Sequence, residues 1–311
     1  MSRSEGFSLV ELAVALAIIA LLLAGALIPL STQIDVRNSG DTQRSMESTR
    51  EAIIGFAQAN GRLPCPANGG TPAGTVDTTT WATSIGAGAE QWDPANNRCY
   101  TVFGVVPWAT LGVPETDAWG RRLSYRVSSA FADAVSPPGA ATYESRSSPA
   151  LVPANAALMS PTNQVPLCPS PLVPAPVQSS FALCSLGDIA VFTRGGATTT
   201  AVPLGTSLPA VFISHGKNGF GAWQTTGTRL SPIPSSNDEA ANVNGNITAT
   251  PSGSYLSWTF YSRTRAPAAA GCVDPAPGTT NASPPCEFDD IVVMISSNAL
   301  ISRMIAAGRL P

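Results

Sequence analysis

From Leu12 to Leu30 the chain runs nineteen residues without a formal charge, preceded by Glu11 and a polar leader ending in Gly6. A helix of about twenty apolar residues crosses a hydrocarbon core, so residues 7–30 are predicted to form a transmembrane helix. Gly25 and Pro29 lie near its end. Proline removes a helical hydrogen bond and kinks the axis, which predicts a change of direction there. Over 41–59 the apolar positions recur at helical spacing. Met46, Ile53, Ile54 and Ala57 fall on one face, and Arg44, Glu47, Arg50 and Glu51 supply the wetter side. Asn60-Gly61 stops that helix, and Pro64 and Pro66 prevent its continuation. Residues 31–60 therefore read as an amphipathic second half whose stripe packs against a head domain.

After Cys65 the pattern changes to short β-rich runs separated by Gly, Pro, Ser and Thr. The predicted strands are Tyr100–Val106, Arg122–Val127, Ile189–Thr193, Ala210–Ser214, Tyr255–Tyr261 and Ile291–Ile295. Residues 134–180, rich in Pro, Ala and Ser, and residues 266–285 read as irregular loops within one head spanning 61–311. A short helix is predicted from Asn298 to Ala307, with Leu300, Ile301, Met304 and Ile305 on one face. The fold class is α+β: a long N-terminal helix packed on a mainly antiparallel β-sheet head with long loops. Gly61-Arg62-Leu63-Pro64 and Gly308-Arg309-Leu310-Pro311 are the same four residues, each after a predicted helix. Shared helix-exit chemistry accounts for the echo; a duplicated docking element is the sharper alternative.

Composition narrows the function classes. Charged residues make up 12% of the chain, the net charge is −3, and Lys217 is the single lysine. That balance offers no broad basic surface for nucleic acid, which argues against a DNA-uptake role. His215, the single histidine, sits in a glycine turn with no nucleophile or acid cluster beside it in sequence, so a structural role is expected. P-loop, GxSxG and HExxH motifs are absent from the sequence, and neither catalysis nor a cofactor is expected. The six tryptophans could form a sugar-binding platform, yet core and turn packing explains most of them. Asn246-Ile247-Thr248 and Asn281-Ala282-Ser283 match glycosylation acceptors, a common triplet. Six cysteines without a CxxC pair suggest disulfides behind an export signal. Sequence-neighbour pairing, Cys65–Cys99, Cys168–Cys184 and Cys272–Cys286, is favoured among the alternatives because each pair brackets a Pro/Gly-rich loop. Closing a loop of about fifteen residues contributes roughly 3 kcal/mol in the chain-entropy model.

Three readings compete for residues 1–34. A secretory signal peptide would use Arg3, the apolar run and Ala24-Gly25-Ala26 as a cleavage site. A plain anchor would need the run alone. Neither uses Glu11, a carboxylate at the edge of hydrocarbon, where charge is costly. The third reading does. Gly6-Phe7-Ser8-Leu9-Val10-Glu11 resembles the prepilin signal of type IV pilins and type II secretion pseudopilins. The resemblance implies a leader of residues 1–6, cut between Gly6 and Phe7 by a prepilin peptidase, with N-methylation of Phe7. It implies that the 7–30 helix sits first in the inner membrane and then in a filament core, with the head in the periplasm. It also gives Glu11 a partner, the charged amine of Phe7 on a neighbouring subunit, in a water-poor setting where either charge alone is penalised.

The implied partners are other pilin-like subunits, the peptidase and the inner membrane. The large head suggests a minor or tip subunit. Asp117–Tyr125 resembles the D-x-W-G…Y segment of the major pseudopilins, and Val211–Gly219 their later strand with its glycine-rich turn. In those proteins carboxyl-terminal loops hold calcium, and Asp188, Asp289 and Asp290 are the candidates here. Calcium takes about six to eight oxygens, and the chain lacks a D-x-[DN]-x-[DN]-G loop. Adjacent acids before a buried strand are more often a solvated strand entrance. The runner-up function is a surface-displayed adhesin whose 134–180 and 266–285 loops bind a glycan or protein. A tethered enzyme comes last.

Overall fold

The computed structural model describes residues 8–78, 85–94, 98–132, 181, 187–194, 201–231, 236–244, 246–249, 256–274 and 286–310; for 22–32, 244, 246–249, 256 and 257 it describes the backbone alone. The two expected N-terminal segments are one element. Helix α1 runs Leu9–Asn60, 52 residues, or about 78 Å at 1.5 Å per residue. It continues through Gly25 and Pro29, so neither residue ends it. It stops where the sequence predicts: Gly61 takes φ 73°, and its N–H donates to the Ala57 carbonyl at 2.8 Å. Glycine reaches that left-handed conformation without a Cβ clash. Among the described residues no helix is long and apolar enough to cross a membrane. A large part of the expected 7–30 span, Phe7 and the side chains from 22 on, lies outside them.

In its C-terminal half α1 buries a stripe comprising Thr42, Met46, Thr49, Ile53 and Ala57, each at 0% exposure. The i, i+3, i+4 spacing keeps these side chains on one face. Arg44 pairs with Asp41 at 2.6 Å and Arg50 with Glu47 at 2.8 Å on the wetter side.

The head begins with two small ribbons, β1 (Val76–Asp77) with β2 (Ile85–Gly86) and β3 (Trp92–Asp93) with β4 (Arg98–Cys99). Next come β5 (Phe103–Val105), α2 (Trp108–Leu111), β6 (Arg121–Arg122), β7 (Ser124–Val127) and α3 (Ser129–Ala132). Downstream lie β8 (Ile189–Thr193), β9 (Val202–Leu208), β10 (Ala210–Ser214), β11 (Trp223–Gln224) and α4 (Asn237–Asn244). The chain finishes with β12 (Asn246–Ala249), β13 (Leu256–Tyr261), β14 (Ile291–Ile295) and α5 (Ser297–Ala306).

Two four-stranded sheets form layers behind α1. The first has the order β14-β10-β7-β5 and is antiparallel throughout, with Phe212 opposite both Val293 and Tyr125. Successive side chains on a strand point to opposite faces. Tyr125, Val127, Ala210, Phe212 and Ile295 accordingly pack with Met46, Ile53 and Ala57 of α1 and with Leu300 and Met304 of α5. Val211, Ile213, Val292 and Met294 face the other way, onto Ile189, Val191, Trp258 and Phe260. Those four belong to the second sheet, ordered β12-β13-β8-β9, in which β13 and β8 run parallel and the other ladders are antiparallel. The molecule is thus α+β, with one parallel ladder among the otherwise antiparallel ladders of the described residues. Covered on both faces, β10 reads as the unbroken run Ala-Val-Phe-Ile-Ser.

The repeated Gly-Arg-Leu-Pro segments meet at one end of α1. Leu63 and Leu310 enter the same core cluster, and Gly61 and Gly308 both take left-handed φ, 73° and 68°. Arg309 donates to the carbonyls of Gln58, at 2.8 Å, and Ala59. The last turn of α1 carries no basic residue of its own, so the second copy supplies the cation that a helix C-terminus favours.

Candidate functional site

The first turn of α1 gives Glu11 a use within its own chain. Ser8 is the N-cap: its Oγ accepts the Glu11 N–H at 3.2 Å, and Glu11 Oε2 accepts the Ser8 N–H at 2.9 Å. This capping box satisfies two N–H groups that otherwise lack helical partners. It occupies one carboxylate oxygen of Glu11. The S-x-x-E spacing that signals it was legible, although the sequence reading assigned Glu11 only an intermolecular partner. From Ser8 to Leu21 every residue is exposed, with Leu9 at 85% and Leu21 at 76%. A bare apolar surface on this scale marks contact with protein or lipid.

Two of the three expected bridges are closed, Cys65–Cys99 with Cα atoms 5.4 Å apart and Cys272–Cys286 at 4.8 Å. Cys168 and Cys184 lie outside the described residues.

A second site forms in the head, where Glu239, Asp289 and Asp290 each place a carboxylate oxygen within 4.8 Å of the others. Glu239 comes from the first turn of α4, and the two aspartates from the residues leading into β14. Asp289 N–H donates to Glu239 Oε1 at 2.7 Å, and Asn218 N–H to Asp289 Oδ2 at 2.8 Å. Asn242 donates to Asp290 Oδ2 at 2.8 Å and locks onto β13 through the backbone of Tyr261. Burial, with Asp290 and Asp289 nearby, pushes the Glu239 carboxyl up to about 8. The Asp289 carboxyl is also raised, chiefly by burial. Crowded carboxylates of this kind invite a proton or a cation. Asp289 Oδ1 is buried without a hydrogen-bond partner. An all-oxygen donor set suits a hard cation of the calcium class. These are the side chains that could hold one.

Asp188, the third expected calcium ligand, is elsewhere. It faces Arg126 between the two sheets, with Nη2 and Oδ2 3.6 Å apart, and the guanidinium lies over the Trp258 ring at 3.6 Å. Burial lowers the Arg126 pKa to about 10, partly opposed by Asp188. The acid that joins Asp289 and Asp290 is Glu239 instead.

His215 is at 0% exposure, with Nε2 2.8 Å from Ser124 Oγ and Nδ1 3.5 Å from Asp290 Oδ1. The order serine, histidine, carboxylate recurs in hydrolases. Here Ser124 is 1% exposed on β7, paired between β5 and β10. The three side chains form a polar link through the core from the first sheet to the acidic pocket.

The five described tryptophans are occupied. Arg62 lies over Trp92, Arg122 over Trp108, Arg126 over Trp258, Arg229 over Trp223 and Arg265 over Trp119, at 3.6–5.6 Å from the ring centres. Guanidinium planes stack on aromatic faces where an ammonium group does so less well, and the near absence of lysine fits that use.

Residues 1–27 match the family model described as the prokaryotic N-terminal methylation motif. The chain carries a prepilin signal. That is the signal found at the start of type IV pilins and pseudopilins. No curated protein and no solved structure matches the chain. Gly6 and Phe7, the expected cleavage pair of the prepilin signal, lie outside the described residues; the described part of the signal begins at the Ser8 cap and follows α1 from Leu9. Glu239, 50 residues from Asp289 and set in a polar segment, was the site residue that sequence reasoning missed.

Proposed function

We propose that this chain is a minor or tip subunit of a type IV pilus or a type II secretion pseudopilus, with no catalytic step of its own. The prepilin signal carries the reading, and its described part runs onto a helix that is exposed from Leu9 to Leu21 and packed into the head from Thr42 to Ala57. Before assembly the 7–30 segment spans the inner membrane, residues 1–6 face the cytoplasm and the head faces the periplasm. After cleavage at Gly6–Phe7 and methylation of Phe7, the N-terminal half of α1 stacks against other pilin-like subunits. Glu11 keeps one oxygen on Ser8 and offers the other to the Phe7 amine of a neighbour. Lys217, which reaches Asp35 of α1 at 2.6 Å, steadies the helix where it leaves the head. Glu239, Asp289 and Asp290 supply the seat for a hard cation such as calcium. The adhesin alternative draws no support from the tryptophans, since five of the rings already carry an arginine.

Two variants test the reading. Gly6→Leu places a bulky side chain at the cleavage point and is expected to leave uncleaved precursor in the membrane. Glu11→Ala is expected to be cleaved normally but to stay out of filaments. Normal assembly of Glu11→Ala would remove the amine–carboxylate pairing from the account.

A further inference from the structure

The Cys272–Cys286 bridge closes over buried charges rather than over apolar core. Asp274 lies two residues after Cys272. Its Oδ1 accepts the Cys286 N–H at 3.0 Å, and its Oδ2 accepts the Ser236 hydroxyl at 2.7 Å. Ser236 Oγ accepts the Glu239 N–H at 3.2 Å, and Asn237 donates to the Asp274 carbonyl at 3.2 Å. Asp274 therefore fixes the first turn of α4. Arg263 donates to the Cys286 carbonyl at 2.8 Å, reaches Asp274 at 3.3 Å and pairs with Asp238 at 3.1 Å. Asp238 also holds Arg194, at 2.8 and 2.9 Å. The side chains of Arg194, Asp238, Arg263 and Asp274 are each 4% exposed or less. Charges buried this deeply depend on every partner staying in place. The residue after Asp238 is Glu239, and Asn242 follows one turn later, so the same short helix carries the ion network and the acidic pocket.

The two described bridges differ in access. Cys65 and Cys99 are 0% and 1% exposed, inside the apolar core. Cys272 is half-buried, between exposed Gly271 and Val273. Thiol–disulfide exchange requires a thiolate to reach a bridge sulfur, which favours attack at Cys272.

We propose that Cys272–Cys286 is a redox-sensitive clamp on the acidic pocket. Oxidised, it holds Asp274 against Ser236 and Arg263, which sets α4 and with it Glu239 and Asn242. A dithiol reverses this. One of its thiolates attacks a bridge sulfur and the second displaces the mixed disulfide. The bridge takes up two electrons and two protons to become the Cys272 and Cys286 thiols, and the dithiol leaves as a cyclic disulfide. Asp274 is then tethered by the chain alone, and the first turn of α4 loosens. An oxidising compartment would complete the pocket, and a reducing one would open it.

The test uses the full chain in detergent micelles, titrated with dithiothreitol, with thiols counted by alkylation and mass and α4 followed by hydrogen exchange. The expected result is that Cys272–Cys286 opens while Cys65–Cys99 stays closed. The amides of α4 should then exchange faster by about tenfold or more while those of β10 do not change. Asp274→Asn should speed α4 exchange with the bridge intact, and the Cys272→Ser/Cys286→Ser variant should do so without reductant. An open Cys272–Cys286 bridge with unchanged α4 exchange would overturn the proposal. So would Cys65–Cys99 opening first or at the same dithiol concentration, or Asp274→Asn exchanging like the parent chain.

Discussion

The two halves of α1 share one backbone and two surroundings. Leu9 to Leu21 presents exposed leucines, isoleucines and valines that no other described residue covers. From Thr42 to Ala57 the apolar residues keep to a single stripe, and that stripe is sealed by the first sheet and α5. The difference lies in which partner buries the apolar atoms. A narrow stripe with Arg44, Glu47 and Arg50 around it is satisfied within the molecule, whereas an apolar surface all round the helix is stable only in lipid or against other helices. The molecule is finished at one end of α1 and unfinished at the other.

Substitutions can break that contrast from either end. The largest effect is expected from Glu11→Ala: assembly is lost, measured as filament yield from membranes, while the melting transition of the head stays where it was. Phe212→Ala empties the core between α1 and β10 and should lower head stability by about 3–5 kcal/mol in denaturant unfolding, leaving cleavage at Gly6 intact. Next is the pH response of the acidic pocket. The Glu239 carboxyl is raised from 4.5 to about 8 in the folded state, so the folded chain binds the extra proton between those values. The associated stability is fully present below the lower value and is lost as pH rises through the upper one. In chelator-treated buffer the melting temperature should therefore fall between about pH 5 and 8. Glu239→Gln should flatten that fall, and calcium should offset it in the parent chain. Arg309→Ala removes the cation from the end of α1 and should cost about 1 kcal/mol, seen as faster exchange of the Ala57–Asn60 amides.

Where one residue type had one local reason, the sequence was easy to read. The runs Ile189–Thr193, Ala210–Ser214 and Ile291–Ile295 are strands over those same residues. They are short, mostly apolar runs bounded by breakers, and β10, buried along its whole length, is apolar up to Ser214. Helix α5 was legible from Leu300 and Met304 at helical spacing, with Gly308 after it. Helix α4 was not. Its sequence, Asn-Asp-Glu-Ala-Ala-Asn-Val-Asn, has no long apolar stripe, because it buries Asp238, Glu239 and Asn242 beside the small apolar residues Ala241 and Val243. Those groups are stabilised by partners far away in sequence, which periodicity does not register. The same holds for Asp188. Its neighbour in space is Arg126, on a different strand, and spacing gave no sign of it. Two successive acids at 289 and 290 marked two of the three carboxylates of the acidic pocket, and the long-range fold supplied the third.

The measurement that bears most directly on the contrast within α1 is the intact mass of the mature chain, purified from membranes of cells that contain a prepilin peptidase. A prepilin signal on a bare helix predicts a chain that has lost residues 1–6 and begins with N-methylated Phe7. A mature chain that begins after Ala26, as a secretory signal would give, or one that keeps Met1, would contradict it.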